Sequence, residues 1–273
     1  MNTKSVLRAG FCLALFFAAA SAQARPVSTA LADAIAAPER SEPFRARDGY
    51  RHPLETLSFF EVQPTMTVVE IWPGAGWYTE ILAPYLKDHG QYIAAGFALN
   101  EKAPGYYGRL TKTLVEKLQA SPARYDKVGL TALGAPDSWI IAPPGTADRV
   151  LTFRNVHNWM EADIAPQVFA AMFTALKSGG VLGVVEHRAA AGASIESMKE
   201  SGYVTEDEVK RLAQTAGFRF ERASEINANS KDTKDYAKGV WTLPPSLALK
   251  DQDREKYLAI GESDRMTLRF VKP

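Results

Sequence analysis

Seven short runs rich in β-branched and other apolar residues recur along the chain, at 67–71, 91–95, 128–131, 149–153, 181–186, 218–224 and 266–271, and longer amphipathic stretches separate most of them. Helical spacing fits 78–86, 107–118, 164–176 and 205–216, with Thr205 and Glu208 placed as a capping box at the start of the last. Pro53 suits the first turn of a further helix just before the first strand. Strands alternating with helices predict an α/β fold, a mostly parallel sheet with helices on both faces. Hydrophobic residues make up 46% of the 273 and charged residues 23%, which supplies a core for that fold and excludes a disordered or collagen-like chain.

The N-terminus reads differently. Lys4 and Arg8 precede a 12-residue apolar run, 9–20, and Ala22-Gln23-Ala24 is a small-residue cleavage signal. We therefore expect residues 1–24 to be a signal peptide cut after Ala24, and the mature protein to be periplasmic or secreted. The run is too short for a lasting membrane anchor, and Cys12 sits mid-run behind Phe11, which does not suit a lipoprotein signal. Cys12 is the only cysteine, so the mature chain has neither disulfide nor thiolate chemistry. Without Lys4 and Arg8, 30 basic residues face 31 acidic ones, and no nucleic-acid-binding surface is indicated. Residues 25–52 read as a leader, and 53–273 as one domain. Within it, 224–263 is far longer than a hairpin needs and starts where the sixth strand would end at the carboxyl edge of the sheet. It is expected to cover a small-molecule site there.

Residues 68–77, Val-Val-Glu-Ile-Trp-Pro-Gly-Ala-Gly-Trp, form a strand, a tight glycine turn and the opening of a helix. A dinucleotide fingerprint needs a third glycine, and here Trp77, Tyr78 and Thr79 follow Gly76. Glu70 just ahead of the turn, Asp148-Arg149-Val150-Leu151, and the 176–182 stretch Leu-Lys-Ser-Gly-Gly-Val-Leu resemble, in that order, the first motif and the fourth and fifth strands of class I S-adenosylmethionine-dependent methyltransferases. More narrowly, 70–80, 154–159 and 239–245 together look like an exported bacterial branch of predicted methyltransferases.

That resemblance implies a Rossmann-like methyltransferase fold, a seven-stranded sheet with an antiparallel last strand. It also implies S-adenosylmethionine as cofactor and a small-molecule substrate. The cofactor contacts would be Glu70, Trp72, Gly74, Gly76, Trp77, Asn100 and Asn155. Trp72 stands where the motif has its first glycine, and Pro73 offers no amide. After the second strand no acid is present for the ribose, Asn100 and Glu101 being the nearest polar groups.

His157 and His187 follow the ends of the fourth and fifth strands, neighbours at the carboxyl edge in this fold. His157 is the leading base, with Glu186 or His187 as its partner, although alternate strand residues point to opposite faces. Asp48 and Arg51, in a charged cluster before the first helix, are placed to close over the ligand, Asp48 toward a cation and Arg51 toward an anion. Asn158, Trp159 and Trp241 complete the substrate or lid set. Trp72, Trp77, Tyr78 and Trp159 are candidates to stack on adenine or to face a sulfonium. Two alternatives stay open: a ligand-binding module without methyl transfer, and a metal-dependent enzyme using His157, Glu186 and His187.

Overall fold

The computed structural model of the chain describes residues 29–97, 105–134 and 137–273. The signal-like run 1–24 and the expected cofactor contact Asn100 lie outside these residues. Four short helices, α1 (Thr29–Ala36), α2 (Glu42–Arg45), α3 (Asp48–Arg51) and α4 (Pro53–Phe59), precede β1 (Thr67–Ile71). The alternation then runs α5 (Thr79–Leu86), β2 (Gln91–Phe97), α6 (Gly105–Ala120), α7 (Pro122–Tyr125), β3 (Gly129–Leu133) and β4 (Ala147–Phe153). It continues with α8 (Val156–Glu161), α9 (Ala165–Ala175), β5 (Leu176–His187), α10 (Ile195–Ser201), α11 (Glu206–Thr215) and β6 (Arg219–Ser224). A 3₁₀ turn at Gly239–Thr242, α12 (Arg254–Ile260) and β7 (Arg265–Val271) close the chain.

The strands form one sheet in the order β3-β2-β1-β4-β5-β7-β6. Pairings from β3 through β5 are parallel, and β7 runs antiparallel to both β5 and β6. Two reversals cancel, so β6 points the same way as β5 and ends at the carboxyl edge. The long connection to β7 therefore begins beside the ends of β1, β4 and β5.

Period-two alternation divides the core. Val69, Ile71, Ile93, Ala95, Val150, Leu182 and Val184 face the layer containing α9 and α11, while Val68, Tyr92, Ala94, Leu151, Phe153 and Val185 face α1, α4 and α5. Both faces are covered, as parallel strands require.

Two local expectations need correction. Thr205 does cap α11, accepting from the Glu208 amide, but the Glu208 carboxylate goes to Arg211 instead of returning to Thr205, so the capping box is one-sided. His157 follows β4 in the short helix α8. Asp48 does not face a ligand: it receives a two-pronged pair from Arg40, at 2.7 and 2.9 Å, and stays outside the cavity described below.

Residues 29–52 pack onto the domain. Leu31 is 1% exposed among Leu57, Ile81 and other residues of that face, and Ser41 donates from both its amide and its hydroxyl to the Glu80 carboxylate at 2.9 Å. Leu31→Ala should consequently cost about 2–5 kcal/mol, the usual range for emptying a buried leucine site. Chemical denaturation tests this. Asp33→Ala on the exposed side of the same helix should change stability by less than about 0.5 kcal/mol.

Candidate active site

Strand order reverses between β1 and β4, the place where open α/β sheets form a ligand crevice. A cavity of about 520 Å³ opens there, within the range of roughly 300–1,000 Å³ common for small-molecule sites.

The chain leaves β1 through a turn with left-handed backbone at Trp72 (φ 49°), Gly74 (φ 61°) and Gly76 (φ 89°). Gly76 is required by its φ of 89°, which strains any side chain, and a Cβ there would also make Leu114 Cδ1 shift from 2.9 Å. Its amide is used inside the turn by the Pro73 carbonyl at 3.0 Å, and Gly76 does not line the cavity, so it shapes the turn without touching a ligand. Beside Gly74 the space is open, a Cβ meeting nothing within 4 Å.

Trp72 occupies a conformation that disfavours non-glycine residues. Its indole is held in compensation: Nε1 donates to the Leu133 carbonyl at 3.0 Å, and the ring packs on Phe97 and Tyr107 at centroid distances of 4.4 and 5.7 Å. Those three rings make one wall of the cavity. Trp77 lies on the opposite side of the turn, its Nε1 donating to the Phe44 carbonyl at 3.0 Å and its ring stacked under the Arg51 guanidinium at 4.6 Å.

Glu70 is buried at the end of β1. Tyr92 Oη donates to it at 2.5 Å, and Thr79 Oγ1 lies 2.7 Å from that oxygen, where it donates because the phenol proton is already engaged. Burial, opposed by the Tyr92 bond and by Arg51, pushes its carboxyl up to about 7. Asn155 lines the cavity, but its amide is tied to the Ile71 carbonyl at 2.9 Å and to Thr152 Oγ1 at 3.2 Å, which locks the end of β4 to the end of β1.

Across the cavity, Glu186 at the end of β5 is fully buried and accepts from three N–H groups: His157 Nδ1 at 3.0 Å, the Val156 amide at 2.6 Å and the His187 amide at 2.7 Å. It does not line the cavity; His157 and His187 do, with ring centroids 5.3 Å apart. The alternation along β5 is thus resolved: His187 faces the ligand space and Glu186 grips His157 from beneath. His187 Nδ1 meets Ser263 Oγ at 2.5 Å. Burial, together with His157, Arg154, Arg265 and Arg51, holds the imidazole of His187 well below its usual pKa, so it is neutral at pH 7. Ligand atoms of His157, Glu186 and His187 lie within 4.8 Å of one another, the one such cluster among the described residues.

Val240, Trp241, Pro244 and Pro245 of the long connection line the cavity. Trp241 packs edge-on to His157 at 6.0 Å, and Gly239 lets the 3₁₀ turn lie directly on the backbone of Ser201, where a Cβ would come within 2.2 Å of a carbonyl. Asn158 lines the cavity and accepts from Tyr107 Oη at 3.4 Å. Trp159 does not reach it: fully buried, it packs on Trp72 and Phe169 as core.

Arg47, Arg154, Glu262 and Ser263 also border the cavity and were not singled out from the sequence. Arg154 directly follows an apolar strand at the carboxyl edge, the same signal that marked His157. Glu262 to Arg265 form a charged run immediately before an apolar strand.

No family model and no curated protein matches this sequence. Solved structures do match in shape. A SAM dependent methyltransferase from Aquifex aeolicus aligns with a TM-score of 0.54 at 17% identity, over 84% of this chain and 93% of that one. The [4+2]-cyclase SpnF aligns with a TM-score of 0.56 at 14% identity, over 90% and 93%. The Haemonchus contortus phosphoethanolamine N-methyltransferase 2, in complex with S-adenosyl-L-methionine, aligns with 0.54 at 15%, over 82% of this chain and 53% of that one. The fold is the Rossmann-like methyltransferase fold. A cyclase among the neighbours shows that this fold does not by itself fix the reaction.

Glu70 gives the site a measurable pH signature. Its folded-state pKa is raised from 4.5 to about 7, so the folded state binds the extra proton between those values. Stability should therefore be full below about pH 4.5 and fall by about 3 kcal/mol as pH rises through 7, by linkage. Glu70→Gln should flatten this slope in denaturation curves measured from pH 5 to 8.

Proposed function

We propose that the chain is an exported S-adenosylmethionine-dependent methyltransferase acting on a small molecule in the cell envelope. The observation that carries this reading is the Glu186–His157 pair set across one cavity from the Glu70 to Trp77 turn. The cell-envelope location rests on Lys4, Arg8, the apolar run and Ala22-Gln23-Ala24.

The residues present fit the cofactor. Glu70 is a buried carboxylate whose raised pKa shows that its negative charge is under-compensated, and an ammonium or sulfonium group supplies the missing positive charge. Gly74 leaves room beside the turn and Trp72 offers a ring face, so Glu70, Trp72 and Gly74 would hold it, while the Trp77 ring is taken by Arg51 and Arg40. When bound, S-adenosylmethionine supplies an electrophilic methyl group on sulfur.

What the protein contributes is position and a proton acceptor. Glu186 Oε1 takes the Nδ1 hydrogen of His157 and fixes that tautomer, which leaves Nε2 to accept the acceptor's proton. Asn158 and His187 border the same space and orient the acceptor, while Trp241 and the two prolines beyond it keep water out. Positioning can lower such a barrier by roughly 7–11 kcal/mol, against about 10²- to 10⁴-fold from the base. Placement of the acceptor therefore outweighs proton removal.

Calorimetric titration with S-adenosylmethionine and S-adenosylhomocysteine tests the reading, and absence of binding by folded protein overturns it. Gly74→Val should abolish binding, because the side chain enters the open space of a left-handed turn. His157→Ala should bind the cofactor normally and transfer a labelled methyl group about 10²- to 10⁴-fold more slowly to any acceptor found by screening.

A further inference from the structure

We infer that the cavity is built for an anionic acceptor, a small molecule whose carboxylate or phosphate group is held by Arg51 and Arg154 beside the His157–His187 pair. Naming that molecule the acceptor rests on the methyltransferase reading; the anion site itself does not.

Four arginines converge on Glu262. Arg47 Nε donates to it at 2.6 Å, Arg265 Nη1 at 3.2 Å, and Arg51 Nε stands 3.5 Å away. Arg154, beyond β4, feels the same carboxylate. Only Glu262 pairs directly with any of the four; Glu186 acts on Arg154 and Glu70 on Arg51 without a hydrogen bond to either, because both carboxylates spend their hydrogen bonds on other donors, and the guanidiniums remain in excess.

Three of the arginines keep unused donors, Arg47 at Nη2 alone. Arg51 is 3% exposed, yet its Nε and Nη2 make no hydrogen bond, and stacking on Trp77 fixes the plane of its fork. The Arg154 side chain makes no hydrogen bond or ion pair with any described residue, although it borders the cavity. Arg51 has only the long contact to Glu262 and the half-buried Arg154 has none, and a planar fork with free N–H groups matches carboxylate or phosphate oxygens. The strain is visible in all the groups involved. Burial and then Arg154 push Arg51 well below its usual pKa, while the surrounding guanidiniums overcome burial and hold Glu262 down at about 2. Both arginines remain charged at pH 7.

The anion would lie on the acceptor side. Glu262 adjoins Ser263, whose hydroxyl meets His187, and Arg154, Arg265 and Arg51 all act on His187 electrostatically. A carboxylate or phosphate placed there neutralises the cluster and sets the rest of the molecule against His157.

Thermal unfolding of the chain from residue 25 onward, with orthophosphate or benzoate as probe, tests this without any cofactor. Both anions should raise the melting temperature of the unaltered protein. Arg154→Met should raise it in the absence of anion, by removing an unpaired cation, and should weaken phosphate binding about 10- to 100-fold. A structural arginine behaves oppositely: if Arg154→Met lowers the melting temperature and leaves the phosphate shift intact, the proposal is overturned. Arg51→Met should also weaken phosphate binding. S-adenosylhomocysteine titrated at saturating phosphate should bind as it does without phosphate. Competition between the two would mean that the arginines hold the cofactor's own carboxylate, and the anionic acceptor falls. If S-adenosylhomocysteine fails to bind while phosphate still does so through Arg154, the anion site stands and the methyltransferase reading falls.

Discussion

Glu262 joins parts of the chain that are far apart in sequence. It takes Arg47 and Arg51 from the N-terminal helices and Arg265 from the start of β7, and it sits at the end of the long connection that lines the cavity. A buried carboxylate gripped by several guanidiniums is weak evidence of net stability, because desolvation offsets most of the attraction. What it does supply is geometry. The segment ahead of the sheet is fastened to the sheet's carboxyl edge, and Phe44, Arg47 and Arg51 become walls of the cavity. Residues 29–52 are therefore part of the site. The hydrogen bond from Trp77 to Phe44 and the stacking of Arg51 on Trp77 tie the same segment to the glycine turn, so turn, leader and long connection are held by one set of contacts.

At the turn itself the chain exchanges backbone donors for ring faces. Pro73 has no N–H and the Gly76 amide is spent on Pro73, so few amides remain to meet a ligand. Trp72, Phe97 and Tyr107 replace them with an aromatic wall anchored at Leu133. Such a surface favours flat or cationic groups and is indifferent to hydrogen-bond pattern. Glu70 then carries the polar recognition at that end, where the Arg51 guanidinium, stacked on Trp77 of the same turn, also acts on it.

The sheet was legible because its signal is local and repeated. Each strand states its own period, and the order follows from the family motifs at Glu70 to Gly76, Asp148 to Leu151 and Leu176 to Leu182. The site was legible where a polar residue ends an apolar strand, as with Glu70, Glu186 and His187. It was less legible where a role depends on a distant partner. Asp48 looked free to meet a ligand, yet Arg40, eight residues earlier, claims it. Trp159 lies in a helix of six residues, too short to show which face is buried, and turns into the core. Arg154 carries that strand-end signal too and was passed over, while Glu262 is an ordinary charged residue in sequence that only the approach of the leader to the start of β7 makes exceptional.

The same accounting separates proton transfer from metal binding at the histidine pair. A carboxylate offers about four acceptor positions, and Glu186 has given three to N–H groups. It is also wholly buried beneath the cavity floor, so an ion arriving from the ligand space meets the imidazole rings and not the carboxylate. Two of its donors are backbone amides of α8 and β5, which do not move aside without breaking those elements. Glu186 is thereby committed to holding His157 at Nδ1, and His187 is kept neutral by burial, by His157 and by the arginines around it. A neutral imidazole beside His157 adds no charge to oppose an imidazolium forming there, while Glu186 stabilises it. The pair is arranged for one ring to take a proton and for its neighbour not to compete for it.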